Sequence, residues 1–89
     1  MLRIALASVT EVEAVLRLEG WVSEEGVAVL EAEVQRLLAG GRRLVLDLDG
    51  VHHIDPDGLD LLEGWTGARV ALRGGSAYVR TLLYNHGLG

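Results

Sequence analysis

Apolar and polar residues alternate in two segments near the start of the chain, residues 2–6 and 14–19. A period of two is typical of a half-buried β-strand. The polar stretch between the segments is short enough for a turn, so the two strands are predicted to pair antiparallel. We expect the inward face of this pair to carry Leu2, Ile4, Leu6, Leu16 and Leu18.

A helical period replaces the alternation after Ser23, which is a suitable N-cap residue. Glu24 and Glu25 follow in the first turn, where the helix dipole favours acids. Gly40 and Gly41 supply a stop. We therefore predict a helix over residues 24–39 whose buried face carries Val27, Leu30, Val34, Leu37 and Leu38.

An almost unbroken apolar run, residues 44–48, predicts a strand buried on both faces and central in a sheet. The unit from Leu16 to Leu48 then forms a right-handed parallel crossover. Leu59, Leu61 and Leu62 begin a short second helix, which Gly64 or Gly67 ends.

The remaining chain predicts one more strand, Ala68–Leu72, a turn at Gly74–Gly75, and a last helix that Ser76 caps and residues 85–87 stop. The predicted order is ββαβαβα. We expect a single α/β domain over residues 1–89, with one sheet of about four strands and helices mainly on one face.

Composition narrows the function classes. Hydrophobic residues make up 49% and charged residues 24% of the 89 residues, a globular balance. Cysteine is absent, which excludes disulfides. The net charge is −5 and the arginines are scattered, so nucleic acid is not an expected partner.

The sequence shows neither an apolar run of about 18 residues nor a signal-peptide core, so we expect a cytoplasmic protein without membrane insertion.

Candidate chemistry concentrates in the acidic stretch that follows the central strand. One interpretation is structural: Asp55 or Asp57 caps the second helix, and Pro56 lies in its first turn, where the missing N–H is harmless. The other is a permanently charged docking loop. The two interpretations are compatible, because a capping residue can also face a partner.

Metal binding and catalysis are two further interpretations of the same stretch. His52, His53, Asp55 and Asp57 carry ligand atoms, but neighbouring residues of an extended segment point to opposite faces, and His86 is distant in sequence. The carboxylates lack an accompanying nucleophile or glycine-rich phosphate loop. We therefore expect no metal, no cofactor and no enzymatic activity.

Four motifs together resemble the STAS family, the small domains of anti-sigma factor antagonists, stressosome proteins and the tails of sulfate transporters. Leu16–Gly20, followed by the Ser-capped acidic helix, is similar to the family's second strand and first helix. Leu44–Val51 is similar to its central strand, and Ile54–Leu59 lies where the family has an Asp-Ser-x-Gly-like loop. Ser76–Leu88 looks like its penultimate helix.

The resemblance implies a switch loop that differs from the family pattern. Asp57 stands where anti-sigma antagonists have the serine or threonine that a partner kinase phosphorylates, and Pro56 precedes it. The helix after the loop is short, and the chain ends before the usual last strand and helix, as in a short, divergent member. The predicted partner-binding residues are Ser23, Asp55, Pro56, Asp57, Gly58, Leu59 and, as an interface anchor or a cover for the core edge, Trp65.

Three functions follow as expectations. The first is a non-catalytic protein-interaction module, anti-sigma factor antagonist-like, that takes part in partner switching with an anti-sigma kinase-like protein but carries no phosphorylatable serine. The second is a STAS-type accessory subunit that binds the ATPase of an ABC lipid-transport complex. The third is a small-ligand or nucleotide sensor at the carboxyl ends of the strands.

Overall fold

The computed structural model describes residues 1–65 and 69–88, and the predicted order ββαβαβα is confirmed. One four-stranded sheet combines with three helices in an α/β fold. The elements are β1 (Leu2–Val9), β2 (Glu13–Val22), α1 (Glu24–Ala39), β3 (Arg43–Ile54), α2 (Pro56–Trp65), β4 (Val70–Arg73) and α3 (Ala77–Asn85).

The strands lie in the sheet in their order along the chain, β1-β2-β3-β4. β1 and β2 pair antiparallel as predicted, while β2–β3 and β3–β4 are parallel. Alternate residues of a strand point to the same face of the sheet. On the two central strands, one such face is fully buried beneath the helices. That face carries Ala14, Leu16, Leu18, Leu44, Leu46 and Leu48.

The first and last helices follow the sequence prediction closely. α1 has the predicted bounds, and Leu30, Val34 and Leu37 are its buried residues. Ser23 occupies the N-cap position, but its hydroxyl makes no capping hydrogen bond within the described chain. In α3 the Ser76 hydroxyl accepts the Val79 N–H at 3.1 Å, which is the predicted cap. No helix in residues 1–65 and 69–88 has the length and apolar character of a membrane span.

β3 extends six residues beyond the predicted strand, as far as Ile54. Two register shifts against β2 accommodate this extension, one between Arg17 and Glu19 and one between Gly20 and Trp21. A bulge lets a strand continue where strict alternation of apolar residues breaks down. Residues 49–54, which lie between the predicted central strand and the predicted second helix, are therefore strand.

α2 begins at Pro56, earlier than the leucines of its apolar face indicate. Proline suits the first position of a helix, where its missing N–H has no helical partner to lose. α2 continues to Trp65, past Gly64; the alternative stop at Gly67 and the predicted strand start at Ala68 lie outside the described residues.

The prediction that Leu6 lies on the inward face of the first strand pair is wrong. Its side chain is 47% exposed, whereas Leu2 and Ile4 are partly buried against the core. Leu6 lies on β1, the edge strand, and pairs with Leu16 of β2. The register between the two strands shifts between Leu6 and Ser8. An edge strand with a bulge turns away from the layer that covers the sheet.

Candidate functional site

Asp55 joins three elements at the carboxyl ends of the parallel strands. It is the single residue between β3 and α2. Its N–H donates to the carbonyl oxygen of Val22, the last residue of β2, at 2.8 Å, and its own carbonyl accepts the Leu59 N–H at 2.9 Å. The predicted switch loop is therefore a rigid corner between a strand and a helix.

The residues after Asp55 divide into an exposed pair and a buried pair. Pro56 and Asp57 are exposed in the first turn of α2, where the helix dipole favours the carboxylate of Asp57. Gly58 and Leu59 are buried. A Cβ atom on Gly58 would lie 2.7 Å from Cγ1 of Val22, so α2 approaches the sheet more closely than a larger residue allows.

An aromatic cluster lies beside this corner. The rings of Trp21 and His53 lie 5.0 Å apart between centroids, and those of His53 and Tyr78 lie 5.8 Å apart and nearly parallel. The sequence does not predict this cluster, because it joins β2, β3 and α3 and depends on how α3 packs on the sheet. Its available signals were an aromatic residue two positions after the Ser76 cap and a tryptophan near the end of β2.

Polar contacts at both ring nitrogens, a hydrogen bond to Tyr78 and an ion-pair contact with Asp55, orient the central imidazole. Nδ1 of His53 lies 2.7 Å from the Tyr78 hydroxyl, and Nε2 lies 3.1 Å from Oδ1 of Asp55. His52, the neighbouring histidine, is exposed, so the two rings have separate environments as the alternation of a strand requires.

The two tryptophans occupy opposite environments. Trp21 is the second-last residue of β2 and is 51% exposed. Trp65 is 7% exposed and belongs to the core. Trp65 thus covers the core, as one of its two sequence interpretations had it, and presents little area to a partner. We define the carboxyl-end surface as Trp21, His53, Asp55, Asp57 and Tyr78.

Acidic side chains border the carboxyl-end surface. Val22 and Ile54, the last residues of β2 and β3, pair with each other, so α1 and α2 both start at this edge of the sheet. The exposed Glu24 and Glu25 begin α1. Together with Asp57 they give the edge a negative charge, and Ser23 lies half-buried between the strand and α1.

A groove elsewhere on the molecule could hold a small ligand. It has a volume of about 450 Å³ and lies between β4 and α3. None of its lining residues belongs to the carboxyl-end surface. They are Leu72, Gly74, Arg80, Thr81, Leu83, Tyr84 and Leu88.

Comparison with known proteins identifies the family. The family described as "Mlab, STAS domain" matches residues 5–89. This chain belongs to the STAS family. The match covers β1 from residue 5 and every later element, which includes the strand–helix corner at Asp55 and the helix that carries Tyr78.

Solved structures show the same fold for this STAS domain. The anti-sigma factor antagonist SpoIIAA in its unphosphorylated form superposes with a TM-score of 0.81 at 22% identity, over 98% of this chain and 83% of that one. An anti-sigma factor antagonist from Mycobacterium paratuberculosis gives 0.78 at 21% identity, over 99% and 80%. Among curated proteins, none matches the chain.

Proposed function

We propose that this STAS domain is a non-catalytic, cytoplasmic interaction module that binds a protein partner through its carboxyl-end surface. The observation that carries the proposal is the exposed pair Trp21 and Tyr78 on either side of the fixed His53 ring. Tryptophan and tyrosine are the residues that most often anchor protein interfaces, and rigid rings lose little entropy on binding. The acids around them favour a partner with a basic contact surface.

The first candidate role is anti-sigma factor antagonist-like partner switching without a kinase-controlled serine. Asp57 stands exposed at the position where the family resemblance puts the phosphorylated residue. An aspartate carries one negative charge and phosphoserine carries about 1.5 to 2, so Asp57 imitates the modified state only in part and is always charged. The partner in this role is an anti-sigma kinase-like protein.

The second candidate role is an accessory subunit bound to the ATPase of an ABC lipid-transport complex. A constitutive subunit needs no residue that a kinase can modify, which suits Asp57. The family description names Mlab and not an anti-sigma factor antagonist, so the family match does not single out sigma control.

Affinity purification from the source cell, followed by titration of the purified partner, tests the proposal. We expect Trp21→Ala to raise the Kd about 30-fold, the equivalent of a hot spot of about 2 kcal/mol. Tyr78→Ala should also weaken binding, whereas Tyr84→Ala, an exposed tyrosine of the same helix outside the surface, should leave the Kd unchanged. Wild-type affinity in both Trp21→Ala and Tyr78→Ala would contradict the proposal.

The Asp57→Ser variant separates the two roles. With a kinase-like partner and ATP it should accept a phosphate that the wild-type chain does not accept; with an ABC ATPase it should not. If both Asp57→Ser and Asp57→Ala leave the affinity for the captured partner unchanged, Asp57 takes no part in docking.

A further inference from the structure

Three side chains with metal-ligand atoms converge away from the carboxyl-end surface. Asp60 and Glu63 come from α2, and His86 directly follows α3. Nε2 of His86 lies 3.1 Å from Oδ1 of Asp60 and 3.0 Å from Oε2 of Glu63. All three ligand atoms lie within 4.8 Å of one another.

The fold gives each of these side chains a defined position. Asp60 and Glu63 are three residues apart, so they lie on the same face of α2. His86 caps the carboxyl end of α3, and its N–H donates to the carbonyl oxygens of Leu82 and Leu83 at 3.2 and 3.1 Å. The ligand atoms are thus carried by a helix and a helix cap and not by a long loop, which favours a reproducible geometry.

The contacts exceed what one imidazole nitrogen can satisfy by hydrogen bonding. Nε2 offers either one proton or one lone pair, yet two carboxylate oxygens lie about 3 Å from it. A divalent cation between the three atoms accepts a lone pair from each and neutralises both carboxylates.

We propose that Asp60, Glu63 and His86 form a zinc site. Zinc takes nitrogen and oxygen ligands at about 2.0 to 2.2 Å, and three protein ligands with one water complete its tetrahedron. In such a tetrahedron the ligand atoms are separated by roughly 3.3 to 3.6 Å. The observed separations from Nε2, 3.0 and 3.1 Å, need only a small rotation of exposed side chains to reach that spacing.

The proposed ion would join α2 to α3. Leu62 of α2 and Leu83 of α3 are buried in the same core beneath the two helices. Zinc bound to the folded chain and not to the unfolded chain stabilises the fold by mass action. This site differs from the docking surface in its residues and in its ligand, so the two proposals stand or fall separately.

Calorimetric titration of the metal-free chain with zinc sulfate tests the site. We expect one zinc ion per chain and a rise in Tm when zinc is saturating. His86→Gln and Asp60→Asn should each weaken zinc binding at least about tenfold, since even the indirect partners of metal ligands contribute that much. Cobalt in place of zinc should give visible absorption that His86→Gln abolishes.

His52→Gln is the matched control, because His52 is an exposed histidine outside the cluster. It should bind zinc as the wild-type chain does. The Tm of each metal-free variant shows that its fold is intact. An absence of zinc binding by the wild-type chain would mean that the cluster is an ion pair only, and it would overturn the proposal. Equal affinities for wild type and His86→Gln would overturn it as well.

Discussion

Asp47 is a buried carboxylate, 5% exposed, on the side of β3 that points away from the core. Its Oδ1 accepts the Asp49 N–H at 3.0 Å, and its Oδ2 lies 3.3 Å from Nη2 of Arg73 and 3.9 Å from Nε of Arg17. The backbone hydrogen bond is the main reason that the pKa of Asp47 lies below its usual value. Burial opposes this effect, and the two arginines add to it.

Asp47→Asn should lower the free energy of unfolding by about 1.5–3 kcal/mol at pH 7, the range for hydrogen bonds to charged groups. Because the pKa of Asp47 is lower in the folded state, its ionised form stabilises the fold above the unfolded value near 3.8. That stability is lost as the pH falls through the folded pKa. Urea denaturation of both proteins between pH 7 and pH 2 measures the difference.

Glu31→Gln is the control for this prediction, because Glu31 is exposed on α1. Its effect should stay within about 0.5 kcal/mol, as for most surface substitutions. If Asp47→Asn lowers the free energy of unfolding by the same amount at the lowest pH as at pH 7, the ionised carboxylate is not the stabilising group.

At the scale of elements, Gly58 decides how closely α2 packs on the sheet. A Cβ atom there would meet Cγ1 of Val22 at 2.7 Å and Cγ2 of Ile54 at 3.0 Å. Gly64 lies in the same helix, and a Cβ atom on it would meet nothing within 4 Å among the described residues. The two glycines therefore test packing and helix propensity separately.

Gly58→Ala should destabilise the domain by about 1–3 kcal/mol, because the added methyl group overpacks the junction of β2, β3 and α2. Gly64→Ala should stabilise it by roughly 0.4–1 kcal/mol, because alanine restricts the unfolded chain and suits a helix. Thermal or urea unfolding of both variants checks the opposite signs. If both variants are more stable than the wild-type chain, α2 can move away from the sheet without a loss of stability.

The sequence predicts some of these elements better than others, for identifiable reasons. α1 is found to the residue, because its apolar period, its N-cap serine and its terminal glycines agree. The end of β3 is missed, since register shifts against β2 replace simple alternation there. The cluster of Trp21, His53 and Tyr78 is missed for another reason: His53 and Tyr78 are 25 positions apart, and only the packing of α3 brings them together.

For the molecule as a whole, a few central leucines carry much of the stability. A domain of 89 residues has a free energy of unfolding on the order of 4–13 kcal/mol. Leu46 is fully buried in β3, between the two parallel pairings of the sheet. Leu6 belongs to the same sheet but lies largely exposed on its edge strand.

Leu46→Ala should cost about 2–5 kcal/mol, the transfer free energy of the lost atoms plus that of the cavity. Leu6→Ala should cost less than about 1 kcal/mol, because little area leaves the core. Chemical denaturation followed by circular dichroism compares the two. If Leu6→Ala and Leu46→Ala lower the free energy of unfolding equally, Leu6 of β1 is covered more fully than its exposed fraction indicates.

The order of the strands has a consequence for how this chain is made. A ribosome releases the chain from its amino terminus, so the strands leave it in their sequence order. Because β1, β2, β3 and β4 lie side by side in the order of synthesis, each strand after β1 pairs with the strand made just before it. No strand has to enter between two that are already paired, so the nascent domain can grow in one direction without undoing a contact it has made.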